Sequence, residues 1–379
     1  MAFPVPLARR QITHNTQQLV LSVAGIAFAV LLMFMETGFQ NGVLDSTTLV
    51  VWKLDADLIM LHKQRYTVDG ANTFPRGRLT KALACPGVKT AVPLYVSDGG
   101  YWRLPGTGDR AALRVYGFDP DDSVLLVPGL TQQREALRLP GTVVFDDKSR
   151  PYFGKHDTGT ETELNEHTVR VVGTVELGPD FTTDGNVFTG TATYFSVMAG
   201  TDPDDVGLGL VKVNPGTDPK QVQADLMSRL PPDLVVYTPG EFDKEIRDFF
   251  NSNGSTAAVF GLGVMIGFLI GGFICYQVLY TDVTDHLSQF ATLKAVGYSN
   301  FYLMKVVAGQ ALILSVLGFV VGLVPAWLLC NFIENGTGLV MRLTPPRLAT
   351  VFMLTVAMNQ IAGVMAVRRV LKADPADLF

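Results

Sequence analysis

Charge is scarce in this chain. Only 17% of its 379 residues are Asp, Glu, Lys or Arg and 48% are hydrophobic, whereas an ordinary soluble domain carries roughly 25% charged residues. The deficit points to a large share of chain that never meets water, and it excludes disorder, collagen and coiled coil. Bases are the minority charge, 30 against 35 acids, so the net charge is -5 and there is no basic footprint for nucleic acid. The three cysteines cannot make a disulfide framework and none stands in a C-x-x-C pair, which removes zinc ribbons and thioredoxin-like redox motifs. No G-x-x-x-x-G-K-[ST] loop is present to cradle the phosphates of ATP. The Gly261-Leu262-Gly263 pair lies inside an apolar run with no strand before it and is not a dinucleotide fingerprint.

What is present is concentrated in four stretches nearly free of ionisable groups: Leu19 to Met35, Ser255 to Tyr280, Val306 to Ile333 and Leu348 to Val367. Each is long enough to cross most of a ~30 Å hydrocarbon core as a helix. Arg9 and Arg10 precede the first, Lys294 and Lys305 lie between the second and third, and Arg368, Arg369 and Lys372 follow the fourth. Basic loops stay cytoplasmic, so these segments share the inner side and both termini are expected in the cytoplasm. The layout is then a cytoplasmic segment over 1–18, a first span over 19–40, an outer domain over 41–250 and a second span over 255–280. A cytoplasmic connector follows over 281–305, then a third span over 306–333, an outer loop over 334–347, a fourth span over 348–367 and a cytoplasmic tail over 368–379. The outer region holds 29 acids and 21 bases and carries -8, against +3 for the rest. The first apolar run ends Met-Phe-Met-Glu, which reads as an uncleaved anchor instead of a signal peptide.

The outer region has the texture of a soluble domain. β-branched, turn-flanked runs predict strands over 55–62, 88–96, 112–118, 142–147, 168–177, 186–197, 207–213 and 234–239. Helical patterns occur over 75–84, 131–139 and 218–230, the last with Asp218 capping a Pro at the first helical position. An amphipathic stretch over 241–250 leads toward the second span. The fold class expected is an integral membrane α-helical protein with four transmembrane helices and a large α+β extracytoplasmic domain, its sheet largely antiparallel, between helices 1 and 2. Cys85 is the only cysteine of the outer domain, so no internal disulfide forms there.

One span, a large outer domain, then three spans with a cytoplasmic connector: this order resembles the MacB and FtsX class of ABC-transporter permeases. Within it the chain is similar to the DevC type, the permease of the exporter studied for heterocyst glycolipids. The resemblance covers nearly the whole chain and rests on LLMFMETGFQNGVLDS (31–46), DDKSRPYFG (146–154), VVGTVELGPDFTTDGN (171–186), YTDVTDHLSQFATLKAVGYSN (280–300) and ADPADLF (373–379). Glu36-Thr37 departs from the uncharged pair expected at the end of the first span. The resemblance implies an inner-membrane permease that is not itself an enzyme. It implies no cofactor bound by this chain, with ATP and Mg used by a separate ABC ATPase subunit. It also implies a homodimer, a periplasmic adaptor of the HlyD or DevB type, a TolC-like outer-membrane channel and surrounding membrane lipid.

The connector reads as a short amphipathic helix, with apolar positions at Leu287, Phe290, Ala291 and Leu293, Asp285 at its start and Gly297 as a C-terminal cap. As the resemblance implies, Asp285, His286, Leu287, Phe290, Leu293, Lys294 and Gly297 would couple it to the ATPase. The alternative is a helix lying on the membrane surface, a poorer match because such helices favour Lys and Arg on the polar face. Gly263, Gly267 and Gly271 make one smooth stripe, and Gly318 and Gly322 repeat the spacing; both suit a dimer interface or packing within the bundle. Asn359 and Gln360 read as interhelical hydrogen-bonding groups. Glu36 reads as an interfacial residue, with proton sensing or adaptor pairing as the alternative. His156, Asp157, Glu161, Glu163, Glu166 and His167 have metal-ligand residue types but the spacing of a solvated loop.

The leading functional reading is a non-catalytic permease that transmits ATP-driven motion to a periplasmic domain and drives export of a lipid, glycolipid or other substrate through a tripartite envelope system. The alternatives are an FtsX-like regulator that activates a periplasmic cell-wall hydrolase, and a receptor or scaffold without an ATPase.

Overall fold

The computed structural model describes residues 16–252, 255–285, 299–337, 341 and 343–371. They fall into two compact units: Met1–Asn41 with Ser255–Glu334 and Met341–Phe379, and Gly42–Gly254 with Asn335–Val340.

The first unit is helical, built from α1 (Thr16–Leu49) as far as Asn41, α7 (Ser255–Asp285), α8 (Asn300–Thr337) as far as Glu334 and α9 (Pro345–Leu371). All four are long and apolar enough to cross a membrane. Ile26, Ala29, Val30, Met33 and Phe34 recur on one face of α1 at helical spacing and form the middle of the core, against Cys275, Leu279, Val307, Leu314 and Met358. At 34 residues α1 is about 51 Å long, well beyond a ~30 Å hydrocarbon core. It continues nine residues past the first span expected at 19–40. The extra turns contain Asp, Ser and Thr, modest helix formers. They stay helical because Ser46 and Thr47 donate back to the Val43 carbonyl at 3.0 and 2.8 Å and Val43 and Leu44 are buried.

The second unit carries a nine-stranded mixed sheet in the order β11-β1-β10-β3-β4-β8-β5-β7-β6. Its strands are β1 (Leu58–His62), β3 (Val88–Arg103), β4 (Arg110–Phe118), β5 (Thr142–Asp146), β6 (Glu161–Leu164), β7 (His167–Val175), β8 (Asn186–Gly190), β10 (Leu208–Val213) and β11 (Leu234–Tyr237); β2 (Phe74–Pro75) and β9 (Asp205–Val206) pair separately. The pairings are antiparallel except β4 with β8 and β5 with β7. The 16-residue β3 serves both halves. Val88 to Leu94 pairs with β10, the register shifts between Ser97 and Gly100, and the far end meets β6 at Trp102 and Leu164. Six strands therefore close into a ring, and Gly100 is required at the bend because a Cβ there would stand 2.5 Å from Val115.

Short helices flank the sheet: α2 (Gly77–Leu83), α3 (Leu130–Gln133), α4 (Thr191–Val197), α5 (Pro219–Arg229) and α6 (Pro239–Ser252). Asp218 caps α5 by accepting from the Lys220 amide at 3.0 Å. α6 opens with a capping box in which Thr238 and Glu241 each accept the other's backbone N–H. Two expectations fail. The strand expected over 186–197 ends at Gly190, where a Cβ would stand 2.4 Å from the Leu137 carbonyl, and Thr191–Val197 is helical so that Tyr194 can lie on Gly117. Packing there overrides the β propensity of a Thr- and aromatic-rich run. The helix expected over 131–139 breaks into α3 and a 3-10 turn at Ala136–Arg138, because Thr142 bonds the Ala136 and Leu139 carbonyls.

Candidate functional site

In the helical unit Gly263, Gly267, Gly271, Gly318 and Gly322 face α1 of the same chain. Extended by one carbon, Gly267 would touch Leu32 and Met33, Gly271 would stand 2.5 Å from Ala29 and Met358, and Gly318 would stand 2.4 Å from Ile26. Gly322 would reach the Ala27 carbonyl at 2.7 Å. α7 and α8 thus grip α1 from two directions, each through a small-residue stripe. Gly263 holds a different neighbour: the half-buried Glu36 carboxyl, whose carbon would lie 2.3 Å from a Cβ at that position. Between α8 and α9, Asn359 donates to Ser315 at 2.8 Å and Gln360 to the Ala308 carbonyl at 3.0 Å, so both amides bond across helices. Of the coupling residues, Asp285 closes α7, while His286, Leu287, Phe290, Leu293, Lys294 and Gly297 lie outside the described residues.

The outer unit contains a joint that no local motif announces. Residues 42–49 of α1 lead from the first span and α6 leads toward the second, and Arg247 of α6 fastens them. Its Nη1 lies 3.1 Å from Asp45 Oδ1 and its Nη2 lies 3.1 Å from Thr48 Oγ1. Its Nε donates to Asp243 one turn earlier at 3.0 Å, and Asp243 also accepts from Trp52 at 3.3 Å. Burial alone would raise the Asp243 carboxyl; the bonds from Arg247, Thr48 and Trp52 outweigh it and hold the group below the ordinary Asp range. Beneath this polar joint, Phe242 and Ile246 of α6 are fully buried in one cluster with Val50, Val51 and Leu54. Tyr66 stacks on Phe249 with centroids 4.8 Å apart.

A second polar centre is built on the face of β4 opposite to Leu113 and Val115. Arg114 of β4 is buried and bonds Asp98 through Nε at 2.5 Å and Nη2 at 3.0 Å, Asp180 through Nη1 at 2.5 Å and Thr182 through Nη2 at 2.7 Å. Asp69 lies 3.6 Å from Nη2. Two segments quoted above for the family resemblance pack together beside it. Fully buried Asp146 accepts from the Leu177 and Gly178 amides and the Asn186 side chain, while Asp184 binds Arg150 and Tyr152.

The residues with metal-ligand chemistry are dispersed. His156 accepts from Trp102 Nε1 at 3.2 Å, Glu163 pairs with Arg103 and Glu166 with Arg110, and Asn165-Glu166 forms the tight turn between β6 and β7 at positive φ. The sequence missed the Arg247 joint and the Arg114 centre because their partners are remote. Arg247 and Asp45 are 202 positions apart, Arg114 and Asp180 66.

Residues 19–229 match the MacB-like periplasmic core domain and residues 261–375 the FtsX-like permease C-terminal family. An uncharacterized ABC transporter permease of Mycobacterium tuberculosis is 24% identical over 375 residues, with 98% of each chain covered. Another from Mycobacterium bovis is 23% identical over 380 residues, again with 98% of each covered. Among solved structures, the periplasmic region of MacB from Actinobacillus actinomycetemcomitans aligns with a TM-score of 0.36 at 13% identity, covering 52% of this chain and 94% of that one. The extracellular domain of the noncanonic ABC-type transporter YknZ from Gram-positive bacteria aligns with a TM-score of 0.34 at 12% identity, covering 48% and 99%.

Proposed function

This chain belongs to the MacB/FtsX-like family of ABC-transporter permeases, and from that premise we propose that it is the mechanical subunit of an exporter. It hydrolyses nothing itself. A separate ATPase binds the 281–305 connector on the cytoplasmic side, where the Lys and Arg asymmetry puts the two termini as well. ATP-driven motion there passes along the spans to the outer domain, which acts on a periplasmic adaptor of the HlyD or DevB type and through it on a TolC-like channel. Two copies of the chain work as a dimer. The cargo is a lipid, glycolipid or other substrate, the first two being what the DevC-like segments suggest.

The observation that supports this reading best is the Arg247 joint. A domain that only binds a ligand has no need to fasten its two membrane leads to each other. A domain that is moved by its leads does, because a displacement of either must become a displacement of the whole. Both leads are helical, the first being the tail of a helix that runs unbroken from Thr16 to Leu49, and rigid secondary elements of this kind can carry coupling between distant sites.

The test is comparative lipid extraction from cells lacking the chain. A lipid fraction retained by those cells should reappear outside them when wild-type protein is supplied and not when Arg247→Ala is supplied. Unchanged export of every fraction, with altered cell-wall hydrolase activity, would favour the FtsX-like regulator.

A further inference from the structure

Three carboxylates and two guanidiniums converge beside the register shift of β3 between Ser97 and Gly100. Arg114 and Asp98 lie on neighbouring strands, Asp180 comes from the 178–185 loop, and Asp69 and Arg65 come from the chain that follows β1. Arg65 is 2% exposed; it donates to the backbone carbonyls of Asn72 and Val68, and its Nε has no hydrogen-bond partner among the described residues. Its guanidinium lies on Gly207, where a Cβ would stand 3.0 Å from Nη2. A cavity of about 350 Å³ opens on this group, lined by Arg65, Asp69, Tyr95, Asp98 and Tyr194, with Asp202 and Asp205 at its exposed rim.

The charges do not balance. Arg65 and Arg114 supply two positive charges against three negative ones on Asp69, Asp98 and Asp180, and the rim acids add to the excess. The Asp69 and Asp98 carboxyls are also within hydrogen-bonding reach of each other. Two carboxylates so placed and partly buried do not both ionise in the ordinary range, because each destabilises the other's charge. One proton between them removes the repulsion, supplies the missing hydrogen and leaves the inner group neutral.

We propose that Asp69 and Asp98 form a proton-binding site, in which one shared proton latches the 65–73 segment to β3 at the mouth of this cavity. The other groups that face the pair leave it as the titrating element. Tyr116 and Tyr194 are pushed up by burial and stay neutral. Burial draws Arg65 down to about 10 and Arg114 is held protonated by its carboxylates, so both remain cationic. Burial raises the Asp98 carboxyl, with the neighbouring Asp69 adding to it against the opposing pull of Arg114, while at Asp69 burial is outweighed by Arg114 and the bond from Asp98, which hold it below its usual range. The pair titrates as a unit and binds its proton above the ordinary Asp range. Folding takes up that proton, so its contribution to stability is present at acid pH and is lost as pH rises through the pair's own pKa. The cavity gives solvent protons access, which makes the latch a reader of pH on the face the outer domain occupies.

The experiment uses the full chain in lipid nanodiscs. Infrared difference spectra, wild type minus Asp98→Asn and wild type minus Asp69→Asn, are recorded from pH about 4 to 8, above the ~3.9 of a free Asp side chain. Either amide supplies N–H in place of the shared proton. A protonated-carboxyl band should appear in both differences and vanish in one step as pH rises. Hydrogen exchange of the 65–73 segment, corrected for the intrinsic rate, should rise by roughly tenfold across that step in the wild type and stay flat in Asp98→Asn. Should Asp98→Asn fail to fold, Asp69→Asn reports the same proton. A difference spectrum without that band in every variant that folds overturns the site, and a band whose loss leaves the 65–73 exchange unchanged overturns the latch.

Discussion

Arg247 Nη1 lies 3.1 Å from Asp45 Oδ1, joining the last turns of the first long helix to the helix that precedes the second. Both side chains are about 30% exposed, at 31% and 28%, so the pair is worth little as a stabilising contact. A double-mutant cycle of Arg247→Ala and Asp45→Ala, read by thermal unfolding of the outer domain, should give a coupling of about 0.5–1 kcal/mol. The loss of export in Arg247→Ala should be far larger than that figure would suggest. Parallel losses of stability and export would mean that the joint only holds the fold.

The glycines of the bundle should rank by what they face. Gly322→Ala meets the Ala27 backbone carbonyl and Gly271→Ala meets the Ala29 methyl, neither of which can swing away. Overpacking of this kind costs about 1–3 kcal/mol, more than the ~1 kcal/mol that alanine gains over glycine in a helix interior. Both variants should therefore lower the melting temperature in detergent. Gly261 faces open space, and Gly261→Ala should leave it unchanged or raise it. A uniform response of the three positions would contradict the packing described.

His156 and Trp102 supply a pH dependence of opposite sign to that of the Asp69–Asp98 pair. Burial lowers the His156 imidazole below its usual range, against weaker opposing effects of Asp147 and the Phe153 backbone. The unfolded chain therefore binds the proton more readily, so the stability His156 contributes is complete above the ordinary His value of about 6.5 and falls as pH drops below it. Acidification should weaken the Trp102 Nε1 bond to His156, and His156→Gln should flatten that part of the stability profile. Thermal melts followed by tryptophan fluorescence between pH about 5 and 8 check this.

Much of the architecture was legible because its causes are local. The spans show as runs without charge, and β1, β4, β5, β7, β10 and β11 show as β-branched runs between turns. The lower edge of legibility is Thr191–Val197, where strand-like composition yields to the fit of Tyr194 on Gly117. Beyond local reach are contacts made only by topology. Nothing near Arg114 in sequence marks it as the partner of Asp180, and nothing near Arg247 marks it as the partner of Asp45. Glu36 stood out as a charge at a span end, yet its seat on Gly263 requires the helix pairing to be known.

The connector can be tested by its apolar positions. Leu287→Ala with Phe290→Ala should leave the permease inserted while lowering recruitment of the ATPase, since a buried aromatic anchor can be worth ~2 kcal/mol or more. Ser288→Ala with Gln289→Ala serves as the polar-face control and should bind as the wild type does. Co-purification with the ATPase reads both. Equal recruitment by the two double variants would favour a helix that lies on the lipid surface.

In the proposed function, nucleotide state at the ATPase sets the position of the outer domains. The most direct measurement of this is the spin–spin distance between two copies labelled at Thr107, an exposed residue of the turn between β3 and β4, in nanodiscs with the cognate ATPase. The distribution should differ between the nucleotide-free and ATP-trapped complexes in the wild type, and the difference should vanish in Arg247→Ala and in the Leu287→Ala, Phe290→Ala variant. One unchanging distribution in a wild-type complex that hydrolyses ATP would mean that the outer domains are not moved by the ATPase.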